Sequence, residues 1–175
     1  MQVVALLHAI NLGKTRRVAM QDLRASLERL GLQDVRTHLQ SGNALFTTSR
    51  TDGPALREAL ETELQSTFGF GIPVTLQTAE EWQDIMRGVP FNPEREEVRV
   101  AFLSCIPEPE AVAALQQKNF GAECWQIRGD HLYQTVPDGT KNLKLSQAVI
   151  ERHLHCSLTV RNWRTMRAIH ALLGK

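Results

Sequence analysis

The chain has 175 residues, 42% of them apolar, with 20 Lys+Arg against 19 Asp+Glu. That is material for one substantial core or two small ones, and the near-balance of charge excludes a global field favouring nucleic acid or an anionic membrane. No run of about 18 apolar residues occurs, so no membrane-spanning helix is expected, and an apolar strand without a basic leader opens the chain, so no signal peptide is expected either.

Val3–Ile10 is a nearly unbroken apolar run, the pattern of a central strand covered on both faces. A basic loop, Asn11–Val18, follows with Gly13 and three cations. The next stretch places Met20, Leu23, Leu27 and Leu30 on one helical stripe that Gly31 ends. Val35–Gln40 alternates as a strand, Ser41-Gly42 turns the chain, and Asn43–Thr48 returns it as a hairpin partner. Asp52-Gly53-Pro54 opens a helix with Leu56, Leu60, Leu64 and Phe68 at i+4 spacing. Ile72–Gln77 is then a fourth strand.

A short helix from Trp82 to Gly88, begun by Thr78 and two glutamates, leads into the Val89–Pro93 connector. The grammar then repeats: strand Val98–Ser104, helix Glu108–Gln117, a hairpin of Ala122–Arg128 and His131–Val136 about Gly129-Asp130, helix Leu143–His153, and a short strand Leu158–Val160. A last helix, Trp163–Leu173, closes the chain. The expected fold class is α+β, two ferredoxin-like β-α-β-β-α-β sandwiches in tandem plus a connecting helix and a C-terminal helix. Residues 1–78 form the first half, 79–97 the helix and linker, and 98–175 the second half.

That topology sends polar loops together. In the first half, Asn11, Lys14, Arg17, Ser41, Gly42 and Asn43 meet beside a helix N-terminus, where free amides suit an anion. In the second, Lys141, Asn142, Lys144 and Ser146 are expected beside Arg161, Asn162, Trp163 and Arg164. The plainer reading of the first cluster is a solvated basic loop and turn. For the second it is helix capping by Asn142 and Asn162, with Asp138 or Glu151 neutralising the arginines that the helix dipole disfavours. Cys105, Cys124 and Cys156 are odd in number and form no CxxC, which reads as reduced cytosolic thiols. His153-x-His155-Cys156 is not a metal site, because i,i+2 positions do not face together. His8 reads as a hydrogen-bonded core histidine. Trp125, Tyr133 and Phe102 read as core aromatics, so no stacking platform for bases is present. No acid, base, nucleophile or cofactor is assigned, and no catalytic triad is assembled.

Taken together, VALLHAINLGK, DLRASLERLGLQDVRTHLQSGNALF, VPFNP, PDGTKNLKLS and TVRNWRTM resemble the bacterial domain-of-unknown-function family 1697. The resemblance implies a cytoplasmic bacterial α+β protein and brings no activity, substrate or cofactor. Family members usually read Arg-Gly-Ile-Asn and then Gly-Gly where this chain has His8-Ala9-Ile10-Asn11 and Gly13-Lys14. An anion site at His8 therefore depends on protonation. The leading expectation is a small protein that binds a phosphate- or carboxylate-bearing ligand, including nucleotides, through these loops. The alternatives are a nucleic-acid-binding protein and an interaction scaffold without a ligand.

Overall fold

The computed structural model describes residues 1–175 as two four-stranded antiparallel sheets and six helices. The elements are β1 (Gln2–Leu7), α1 (Met20–Arg29), β2 (Gln33–His38), β3 (Asn43–Thr47), α2 (Gly53–Phe68), β4 (Val74–Thr78) and α3 (Ala79–Arg87). They continue as β5 (Val98–Leu103), α4 (Pro109–Gln116), β6 (Trp125–Arg128), β7 (His131–Thr135), α5 (Gln147–Leu154), β8 (Leu158–Asn162) and α6 (Trp163–Leu172). Two compact units result, Met1–Arg87 with Ala168–Lys175, and Gly88–Arg167.

In the first unit the sheet order is β2-β3-β1-β4, with β1 antiparallel to both neighbours. Val3, Ala5 and Leu7 of β1 join Leu23 and Leu27 of α1 and Leu56, Leu60 and Leu64 of α2 in one core. Each such buried leucine contributes about 1.5–3 kcal/mol. Val4 and Leu6, on the opposite face, are also fully buried, which is why β1 reads as an unbroken apolar run rather than an alternation. The strand stops at Leu7, short of the expected Ile10, because Ala9 and Asn11 both adopt positive φ (50° and 53°). Asp52 caps α2 through Ala55 N (3.0 Å), and Gly69 ends it at φ 79°. Thr78 and Glu81 cap α3 reciprocally, Thr78 N donating to Glu81 Oε2 (2.7 Å) and Glu81 N to Thr78 Oγ1 (3.2 Å). The terminus is tied down where Gly174 N donates to Gln2 Oε1.

The second unit repeats the order as β6-β7-β5-β8. Its core gathers Ala101, Leu103, Leu115, Leu132, Ile150, Leu154 and Leu158. Two expectations fail here. The fourth helix of the sandwich pattern begins at Gln147, not Leu143, because Ser146 Oγ, rather than Asn142, accepts from the first turn (Val149 N, 3.3 Å). Asn142 instead ends a 3-10 turn, Thr140–Asn142, its side chain donating to Asp138 O. Second, Cys105 and Cys156 are not free thiols but a disulfide, with Cα atoms 5.8 Å apart; only Cys124 remains free. Spacing along the chain hid the pair, since 51 residues separate cysteines that the β5–β8 ladder places opposite one another.

Candidate functional site

The loop from Asn11 to Val18 is held by its own polar atoms. Asn11 Nδ2 donates to Val18 O (2.9 Å) and across to Gln40 O (2.7 Å), while Asn11 Oδ1 accepts from Val18 N (2.9 Å). Asn11 N donates to Arg16 O and Thr15 N to Leu12 O, closing a tight excursion. Arg16 Nε donates to Ala9 O (2.5 Å), its Nη2 to Gly71 O (2.9 Å), and its guanidinium lies 4.6 Å from the centre of the Phe70 ring. Ala9, Asn11, Arg16 and Leu39 all carry positive φ at this end of the unit, four of the six non-glycine residues that do, each a local backbone cost.

The turn 39–42 joins the same end, because Leu7 N donates to Gly42 O (2.9 Å). A Cβ on Gly42 would meet Leu7 Cβ and Ile10 Cδ1 at 2.8 Å, and φ there is 87°; the position requires glycine. Asn43 is fully buried and donates to His38 O (2.7 Å) and Ser41 Oγ (3.2 Å). Asn11, Ser41, Gly42 and Asn43 are therefore brought together as expected, and the side chains of both asparagines are engaged in building the loops. Lys14 and Arg17 are exposed and form no hydrogen bond or ion pair. His8 is buried with Nε2 2.8 Å from Thr75 Oγ1, a core histidine. The three loops at this end, residues 8–19, 39–42 and 69–73, contain no aspartate or glutamate; the acidic side chains bordering them are Asp22 in the first turn of α1 and Glu61, whose carboxylate accepts from Val74 N (2.9 Å).

The second cluster is arranged differently. Arg161 is only 6% exposed; its Nη1 donates to Thr159 Oγ1 (2.7 Å) and Val160 O (2.9 Å), and burial pushes its guanidinium down to about 10. Asn162 caps α6, Oδ1 accepting from Thr165 N (2.8 Å), and Trp163 is buried beside it. The partner that neutralises Arg167 is Glu94, not Asp138 or Glu151; the Glu151 carboxylate accepts from Leu158 N instead. Lys144 is drawn toward the loop before β6: Glu123 accepts from Lys144 N (2.5 Å) and Leu145 N (2.8 Å), and Lys144 Nζ lies 3.1 Å from where a Cβ on Gly121 would sit. β6 and β8 are opposite edges of the sheet. Lys141 is exposed on the 3-10 turn and unpaired. A groove of 420 Å³ beside α6 is lined by Glu96, Glu97, Asn162, Trp163, Arg164 and Arg167, both signs of charge facing it.

Sequence reasoning missed Glu123, Arg99 and Gln134. Arg99 Nε donates to Gln134 Oε1 (2.7 Å), and the buried Gln134 donates to Leu145 O (2.6 Å). Burial lowers the Arg99 pKa, against the pull of Glu123 and Glu97. A glutamate two residues before a strand carries no signal of its own; only the returning loop reveals what the carboxylate holds.

The protein-family comparison matches residues 1–133 to a family described as a protein of unknown function, DUF1697. The solved structure of the conserved bacterial protein SP0830 from Streptococcus pneumoniae is similar in fold, with a TM-score of 0.77, 23% identity and 98% of each chain covered. An unknown protein from Galdieria sulphuraria aligns over 92% of this chain and 96% of its own at 15% identity, but its TM-score of 0.27 carries no argument. No curated protein matches the chain.

Proposed function

The chain belongs to the DUF1697 family, described as of unknown function, and we propose from the geometry alone that it binds a small phosphate- or carboxylate-bearing ligand, nucleotides included, at the loop end of the first unit. One observation carries this reading. Three loops free of acidic residues present Lys14 and Arg17 without partners on a backbone fixed by hydrogen bonds and positive φ. Mobile surface lysines lose entropy when they bind, whereas a loop already shaped loses less. The N-terminus of α1 adds the positive end of its dipole. Ser41 and Gly42 border the place where the anion sits.

The second cluster supports the reading less. Arg161 is buried, Arg167 is paired, Lys144 lies by Gly121, and Glu96 and Glu97 would repel an anion from the groove. The same proposal takes each unit as a ferredoxin-like sandwich, since β2-β3-β1-β4 and β6-β7-β5-β8 are the orders a split βαβ generates. It also takes the setting as a bacterial cytoplasm, as the family resemblance implies. The nucleic-acid alternative loses the argument from an open sheet, because the central strands β1, β3, β5 and β7 are buried on both faces.

A thermal-shift series with inorganic phosphate, ATP, GTP, dicarboxylates and short RNA and DNA, at low and high salt, tests the proposal. Ligand at 100 times its dissociation constant stabilises by about 2.7 kcal/mol. The expected result is a salt-tolerant shift with a small anion that Lys14→Ala with Arg17→Ala abolishes. A shift with polynucleotide alone, lost in salt, would establish the nucleic-acid reading instead. No shift with any probe would leave an interaction scaffold.

A further inference from the structure

The ladder joining β5 to β8 pairs Leu103 with Leu158 and continues through Ser104 N donating to Ser157 O (2.8 Å). Carried one pair further, it sets Cys105 opposite Cys156, the two joined as a disulfide across the end of the sheet. Their surroundings differ sharply. Cys156 is 3% exposed and belongs to the apolar core with Leu103, Leu115, Ile150 and Leu154. Cys105 is exposed, and Ile106 beside it is 73% exposed.

Thiol–disulfide exchange depends on which sulfur an incoming thiolate reaches and on the line of approach. Here one half of the bond belongs to an exposed residue and the other to a core residue. We propose that Cys105 is a thiol-exchange site that takes a low-molecular-weight thiol of the glutathione class as a mixed disulfide. The thiolate attacks Cys105 Sγ; a new sulfur–sulfur bond forms there as the bond to Cys156 Sγ breaks. The electron pair leaves on Cys156, which takes a proton from water and becomes a buried thiol. A second thiolate then attacks the sulfur of the bound small thiol; the bond to Cys105 Sγ breaks, Cys105 leaves as a thiolate that takes a proton from water, and one disulfide of the small thiol is formed for each protein disulfide reduced.

Exchange opens a covalent closure around residues 106–155, which hold α4, β6, β7 and α5, while the backbone ladder between β5 and β8 stays hydrogen-bonded. The second unit is loosened rather than dissolved. Its stability becomes a function of the thiol poise of its surroundings, by a route that does not involve the anion site of the first unit.

The experiment uses the full-length Cys124→Ser chain, which removes the one other thiol at an exposed position. The oxidised protein is treated with reduced glutathione, quenched at intervals by acid, alkylated with a maleimide in denaturant so that the buried Cys156 thiol is reached, and mapped by peptide mass spectrometry. The proposal requires glutathione on Cys105 and maleimide on Cys156 in the early samples. It also requires a Tm about 10 °C lower once both cysteines are reduced, as expected for loss of a long closed loop. Glutathione on Cys156, or a disulfide that survives millimolar glutathione, would overturn it. So would reduction that never passes through an adduct on Cys105, or an unchanged Tm.

Discussion

Gly42 shows how much of this site is decided by single positions. Its φ of 87° and the 2.8 Å approach that a Cβ would make to Leu7 and Ile10 act together. Gly42→Ala should cost about 2–4 kcal/mol, the sum of left-handed backbone and overpacking terms, measured by urea denaturation. Gly13 has φ 61° but open space around it, so Gly13→Ala should cost only the backbone part, about 1–2 kcal/mol. Tyr133 offers a second test. Burial pushes its phenol up to about 12, with Arg128 pulling the other way. Below the unfolded value of 10.0 both states are protonated; above it the unfolded chain ionises first, so this residue's stabilisation is lost as pH rises from 10 toward 12. Arg161, lowered to about 10, works in the opposite sense over the same range, since the folded state releases its proton first. The clean readout is therefore a difference: the stability of Tyr133→Phe relative to the parent should be level below pH 10 and improve from pH 10 toward 12. A flat difference would remove the burial argument.

At the scale of elements, the loop 137–146 depends on a contact that no local pattern announces. Glu123, just before β6, accepts both Lys144 N and Leu145 N. Glu123→Ala leaves two amides without that partner and should cost about 1–3 kcal/mol, with faster hydrogen exchange at Lys144 and Leu145 as the local signature. If those two amides exchange at the parent rate, the carboxylate is not what holds the loop. Periodicity made the helices and strands legible, because Leu56, Leu60 and Leu64 or Val3–Leu7 declare their faces directly. It did not show where the helix after residue 142 begins: Asn142 and Ser146 are both good caps, but Glu123 takes up Lys144 N and Leu145 N, and it is Ser146 Oγ that accepts from the first turn. The same limit applied to the arginines of α6. Their dipole conflict was readable, and the pairing of Arg167 with Glu94 was not, since the two lie 73 positions apart.

Across the whole molecule, the repeated β-α-β-β-α-β order was visible in the chain and is matched by two sheets of equivalent strand order. The convergence of Asn11 with Gln40 and Gly42 followed from that order alone. What composition could not show was polarity of position. A chain of net charge +1 nonetheless gathers Lys14, Arg16 and Arg17 at an end with no acid in its loops. Likewise, an odd set of three distant cysteines concealed a cross-strand pair. The central claim is that this end of the first unit holds a small anion, and a ¹⁵N–¹H NMR titration with ATP tests it most directly. Amide shifts should concentrate in residues 12–17 and 40–42 and be absent in the Lys14→Ala, Arg17→Ala variant. Shifts centred on residues 141–144 or 161–164, or none at saturating ATP and the other phosphates, would contradict it.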